Sequence, residues 1–194
     1  TAPYAAGQTK AIDVDVKGYL TQIDFRFTLN ITAESGATYA ITDQPIDTLL
    51  RAVQSLKFTS SGSLDFYNVP HLRAGYYLAY LKSQGQAYCD STLPTAATGA
   101  ADYVIEFSWH PGSNFSDPFD LSRCVPLRGL SNPQVQVTWG RDSDLGTGYT
   151  INSGSLQIIV YTQYLEKGES EADAFKDLPS PHILRPRLIP VVYS

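Results

Sequence analysis

Side chains able to do chemistry are few in this chain, and their spacing does not suit it. The histidines number three, His71, His110 and His182. A metal site on a β-scaffold calls for a His-x-His pair on one strand face, with further Glu and His ligands on neighbouring strands. No such pair exists; His71 falls in a helix candidate, His110 precedes a turn and His182 lies near the C-terminus. Gly-x-Ser-x-Gly is absent, and so is a glycine-rich phosphate loop followed by lysine. Asp142-Ser143-Asp144-Leu145-Gly146 resembles the opening of a calcium loop, because alternating carboxylates can converge on one hard cation. The bidentate glutamate that should follow is missing, and in a Gly-rich stretch the two aspartates are expected to form turns. No catalytic residue, metal ligand or cofactor site is expected, and no enzyme activity.

Cys89 and Cys124 are the only cysteines. Two thiols in a chain this long make no disulfide framework, so both are expected to be reduced and structural. Trp109 and Trp139 could offer an aromatic platform for sugars, which is the basis of an alternative reading as a carbohydrate-binding module. Both continue the apolar phase of their segments, which predicts packing in a core or between subunits. Asn30-Ile31-Thr32 and Asn114-Phe115-Ser116 match the glycosylation triplet. The first lies mid-strand, and Thr1-Ala2-Pro3-Tyr4 has no signal-peptide character, so neither is expected to carry glycan.

The elements that would position these residues are strands. Over residues 23–32, Ile23, Phe25, Phe27, Leu29 and Ile31 alternate with Asp24, Arg26, Thr28, Asn30 and Thr32. Period-two alternation makes one face of an extended strand apolar, whereas a helix would scatter the same residues around its surface. Val14, Val16 and Leu20 occupy the opposite phase, so a slip between Gly18 and Gln22 predicts a bulge. Tyr103, Ile105, Phe107 and Trp109 alternate likewise, as do Val135, Val137 and Trp139. Residues 156–161 are apolar on both phases, which predicts cover on both faces. Asp43 followed by Pro45 reads as the start of a short helical turn leading into a strand. Leu72, Gly75, Tyr76 and Ala79, spaced i, i+3, i+4 and i+7, mark the best helix, ending near Gly85 and weakened by Gly75. A turn is expected at Pro111-Gly112-Ser113-Asn114, and a Gly-, Asp- and Ser-rich loop over residues 140–148.

Composition sets the outer bounds. Charged residues make up 17% of the 194, aromatics 12%, and the net charge is −5. The electrostatic footprint of a nucleic-acid binder is missing, and no apolar run approaches the roughly 20 residues of a membrane span. Residues 1–12 are small and polar and read as an N-terminal arm, 13–165 as one jelly-roll β-sandwich with an inserted helix, and 166–194 as an extended C-terminal arm. That arm opens with Glu166, Glu169, Glu171, Asp173 and Asp177 and continues with Pro179, Pro181, Pro186 and Pro190. Its apolar and basic residues (Ile183, Leu184, Arg185, Arg187, Leu188, Ile189, Val191, Val192 and Tyr193) mark it as a candidate assembly arm. Prolines exclude a helix, and bulky aliphatics gain nothing in a solvated tail.

Several segments carry a family resemblance. They are Val16-Lys17-Gly18-Tyr19-Leu20, Ala40-Ile41-Thr42-Asp43 with Leu49-Leu50-Arg51-Ala52-Val53, the helix from Pro70, Phe107-Ser108-Trp109-His110-Pro111, and Ile159-Val160-Tyr161-Thr162-Gln163-Tyr164-Leu165. Over most of residues 14–165 the order of these segments resembles the jelly-roll major capsid proteins of tailless, icosahedral double-stranded DNA viruses with an internal membrane, the tectivirus–adenovirus lineage. There two jelly-rolls are fused, whereas this chain has room for one, which points to the single vertical jelly-roll branch of certain thermophilic bacteriophages and haloarchaeal viruses. The resemblance implies a structural protein of the virion shell, assembled in the host cytoplasm into pseudo-hexameric capsomers. It implies other capsid subunits as partners, proximity to an internal membrane or membrane protein, and no direct contact with nucleic acid.

Overall fold

The computed structural model describes residues 1–40, 45–61, 64–82, 87–90, 92–94, 99–111 and 124–163. Its longest strand, β3 (Tyr19–Tyr39), grows from the predicted alternation. Ile23, Phe25, Phe27, Leu29 and Ile31 are each no more than 1% exposed. The predicted slip is present as well. Leu20 and Ile23 are both buried although they stand three positions apart, which in a regular strand puts them on opposite faces. The partner strand β10 (Gly146–Gln163) steps from Tyr161↔Gln22 to Thr162↔Leu20, so Thr21 is left out of the ladder as a bulge.

Two antiparallel sheets face each other. The first runs β1 (Ala2–Pro3), β10, β3, β7 (Ala101–Trp109) and β6 (Tyr88–Cys89), with β8 (Val125–Pro126) beside β3. The second runs β2 (Thr9–Asp13), β9 (Gln134–Trp139), β4 (Val53–Ser60) and β5 (Leu64–Val69). Setting aside the two-residue β6 and β8, one sheet holds the first, eighth, third and sixth strands, and the other the second, seventh, fourth and fifth. That order is a jelly-roll, and the protein is an all-β sandwich of this type.

The inner faces meet through aromatic rings. Phe25 lies 6.0 Å from Tyr67, Phe27 6.0 Å from Trp139, and Trp109 5.0 Å from Tyr67, centroid to centroid. Burying each such side chain contributes roughly 1.5–3 kcal/mol before conformational entropy is subtracted. The helical elements sit at the ends of strands. Helix α1 (Pro45–Leu49) and a 3-10 turn (Leu50–Ala52) lead into β4, as expected, while Asp43 lies outside the described residues. Helix α2 (Leu72–Lys82) buries Leu72, Gly75, Tyr76 and Ala79, the whole predicted stripe; Gly85 lies outside the described residues.

Three expectations change. Residues 1–12 do not form a free arm: β1 pairs with β10, and β2 pairs with β9 from Thr9↔Thr138 to Asp13↔Gln134. An edge strand that buries little needs few apolar residues, and β2 accordingly has no buried position. Helix α2 follows the fifth strand, whereas a jelly-roll whose strands begin only at residue 13 places it after the second or third. Finally, β10 is not covered on both faces: Leu156 is buried, but Ile159 and Tyr161 are 59% and 44% exposed. The C-terminal arm, with every candidate residue from Ile183 to Tyr193, lies outside the described residues, as do Gly112, Ser113, Asn114 and His182.

Candidate assembly surfaces

Among the described residues, those singled out for chemistry do not come together in one site. His71 is exposed just ahead of α2, and His110 is half-buried after β7. No group of three His, Cys, Asp or Glu side chains able to hold a metal occurs among the described residues. The loop over residues 140–148 contains a short helix, α3 (Asp142–Leu145), so the aspartates cap where turn-forming had been expected. The Arg141 amide donates to Asp144 Oδ2 at 2.7 Å and the Ile151 amide to Asp142 Oδ1 at 2.9 Å.

Cys89 and Cys124 are not joined by a disulfide. Burial, with Asp90 and Asp47 nearby, pushes the Cys89 thiol up to about 12, and Sγ lies 3.5 Å from the Asp90 carbonyl oxygen it donates to. A thiol so placed is a small apolar side chain and not a nucleophile. Trp139 is fully buried against Tyr4 and Phe27, and Trp109 packs on Phe58 and Tyr67, so the two do not form an exposed sugar platform.

One charged node escaped the sequence reading. Asp47, 1% exposed, accepts from Tyr77 Oη at 2.9 Å and pairs with Arg73 Nη2 at 2.9 Å. The Arg73 guanidinium also lies over the Tyr77 ring, 5.8 Å from its centroid. Burial and then the bond to Asp47 raise the Tyr77 phenol. This node borders a cleft of about 510 Å³ shared with Arg51, Gln54, His71 and Asp144. Because its carboxylate is already occupied by a cation and a phenol, the node acts as a strut between α1 and α2. Only the i, i+4 spacing of Arg73 and Tyr77 was visible in sequence; their common partner lies on another element.

The outer face of the six-stranded sheet is laced by side chains across strands. Asp24 accepts from Gln22, Ser108 and Tyr161. Arg26 pairs with Glu106 at 3.1 Å, Thr28 bonds Ser155 at 2.9 Å, and Asn30 donates to Asp102 at 2.6 Å while accepting from Asn152 at 2.8 Å. The glycosylation triplet at Asn30 thus belongs to this ladder. Exposed pairs of this kind contribute little individually, roughly 0–1 kcal/mol, yet together they hold side-chain rotamers across a broad, stiff surface. Beside it runs the exposed apolar part of β10. The sequence had marked residues 156–161 as needing cover on both sides, and the structure places one of those sides outward.

The strand order and the helix between its fifth and sixth principal strands define a single jelly-roll sandwich. Among solved structures the chain is similar to the STIV major capsid protein, with a TM-score of 0.62 and 16% identity over 84% of this chain and 45% of that one. It is similar also to a chain in the atomic structure of Sulfolobus Turreted Icosahedral Virus, with a TM-score of 0.60 and 16% identity over 84% of this chain and 43% of that one. The chain spans less than half the length of either, and at this identity the likeness is one of fold. No family model and no curated protein sequence matches it.

Proposed function

We propose that this chain is a non-enzymatic building block of an icosahedral viral capsid. The observation carrying the reading is that the likeness to a major capsid protein takes in nearly the whole sandwich, 84% of this chain. Its confinement to 45% of the other chain is the proportion expected if one sandwich aligns with one of two fused ones. Upright sandwiches pack side by side into pseudo-hexameric capsomers over an internal membrane, with other capsid subunits as partners. The site of action is the virion, after assembly in the host cytoplasm. A net charge of −5 supports shell contacts without direct binding to nucleic acid. The C-terminal arm, through Ile183, Leu184, Arg185, Arg187, Leu188, Val191, Val192 and Tyr193, clamps a neighbouring subunit. Lateral contacts that bury more than roughly 1,000 Å² make such capsomers stable.

Truncation after Ser180 tests the role of the arm. The expected product is a folded monomer by circular dichroism and gel filtration that forms no capsomers. An unfolded product would mean that the arm covers its own sheet, and normal assembly would refute a clamp of either kind.

A further inference from the structure

The open edge of β10 points to where that arm docks. On that edge β1 reaches only Leu156 and Ser155, and the Tyr4 amide donates to the Gly154 carbonyl. From Gln157 to Gln163 no strand lies along the edge among the described residues. Edge strands of soluble proteins are normally blunted by charge, proline or a covering element. Residues 156–165 contain no charged residue, no proline and no glycine. On the outer face Ile159 and Tyr161 are exposed, and on the inner face Ile158 and Val160 are only partly covered.

The sequence of the arm matches what such an edge would take. Within residues 183–193 both prolines, Pro186 and Pro190, fall at even positions. Successive residues of a strand point their backbone groups to opposite sides, so both missing N–H groups can face away from β10 while odd residues bond to it. The same parity sorts the side chains. Leu184, Pro186, Leu188, Pro190 and Val192 make one wholly apolar face, suited to covering Ile158 and Val160. Ile183, Arg185, Arg187, Ile189, Val191 and Tyr193 share the other face, mixed basic and apolar, beside Ile159 and Tyr161. A hairpin onto the chain's own edge needs only 2–5 residues of connection. The roughly 19 residues of 164–182 can span about 60 Å at about 3.3 Å each, further than a sandwich of this size, roughly 40 Å across.

We propose that residues 183–193 of a second copy pair with β10 along residues 157–163, adding a strand to the six-stranded sheet. This rests on the capsid reading, since it requires copies held side by side. Two differently tagged full-length chains, both Cys89→Ala and Cys124→Ala, would be co-expressed. One carries Ile159→Cys, the other Arg187→Cys, Leu188→Cys or Ile189→Cys. After oxidation, non-reducing electrophoresis should show the Ile159→Cys chain linked to Arg187→Cys or Ile189→Cys at least tenfold more than to Leu188→Cys. Equal linkage at all three positions, or none, would overturn strand addition. A disulfide that closes only within a doubly substituted chain would assign the edge to that chain's own arm and also overturn the proposal. Should the cysteine-free background fold poorly, the same links are read with Cys89 and Cys124 retained. Electron microscopy of the unmodified chain separates the two ideas. Shells without the cross-link would remove this docking alone, and cross-links without shells would remove the capsid reading.

Discussion

Gly75 shows how a residue that weakens a helix can be required by the fold. A Cβ added there would lie 2.5 Å from the Tyr67 hydroxyl and 3.3 Å from Val69 Cγ2. Replacing glycine by alanine gains roughly 1 kcal/mol of helix propensity, whereas overpacking a core costs about 1–3 kcal/mol. Gly75→Ala should therefore destabilise the sandwich in urea unfolding. Removing the hydroxyl as well, in Gly75→Ala with Tyr67→Phe, should recover most of the loss, and additivity of the two changes would exclude this contact as the cause. Cys89 invites a second test. With its thiol pushed up to about 12 and the side chain buried, it should react with a thiol reagent at pH 8 only as the chain unfolds. Rapid reaction in the native protein would contradict the packing described here. From the sequence, the glycine was a blemish in a helix stripe; its use became visible only when β5 was placed beneath it.

Strands and helices differ in how openly the chain announces them. β3, β7 and β9 bury one face, so alternation reveals them residue by residue. β1 and β2 pair along their length but bury almost nothing between them beyond Ala2, so composition alone suggested a free arm. The strut at Asp47 is another property of elements, because it exists only when α1 and α2 lie together. Hydrogen bonds to a charged group contribute about 1.5–3 kcal/mol. Arg73 is half exposed, so Arg73→Ala should cost toward the lower end of that range, measured by urea unfolding. A loss below a few tenths of a kcal/mol would show that Tyr77 alone satisfies the buried carboxylate. For β10 the apolar run on both phases suggested cover on both faces, whereas Ile159 and Tyr161 stay exposed, because alternation does not distinguish an apolar surface residue from a buried one.

Across the whole molecule, buried phenols couple stability to alkaline pH. Burial pushes Tyr4, Tyr76 and Tyr149 up to about 12 and Tyr67 higher still, and Cys89 rises from 9 to about 12. A group whose pKa is higher in the fold holds its proton more tightly there than in the unfolded chain. Its stabilising effect is complete below the unfolded value and is lost as pH rises through the folded one. Stability should thus be level up to about pH 9 and fall steeply between about 9 and 12, read as urea midpoints by circular dichroism. A flat profile through pH 11 would mean that these side chains are solvated.

At the same scale stands the claim that the sandwich is a shell component. A jelly-roll supports many functions, so fold alone does not decide among them. Electron microscopy of purified native particles decides most directly. Icosahedral shells whose capsomer density fits this sandwich standing upright, copy beside copy, are the predicted result. Particles whose shells lack this density, or native material in which the chain occurs only as an isolated monomer, would contradict it.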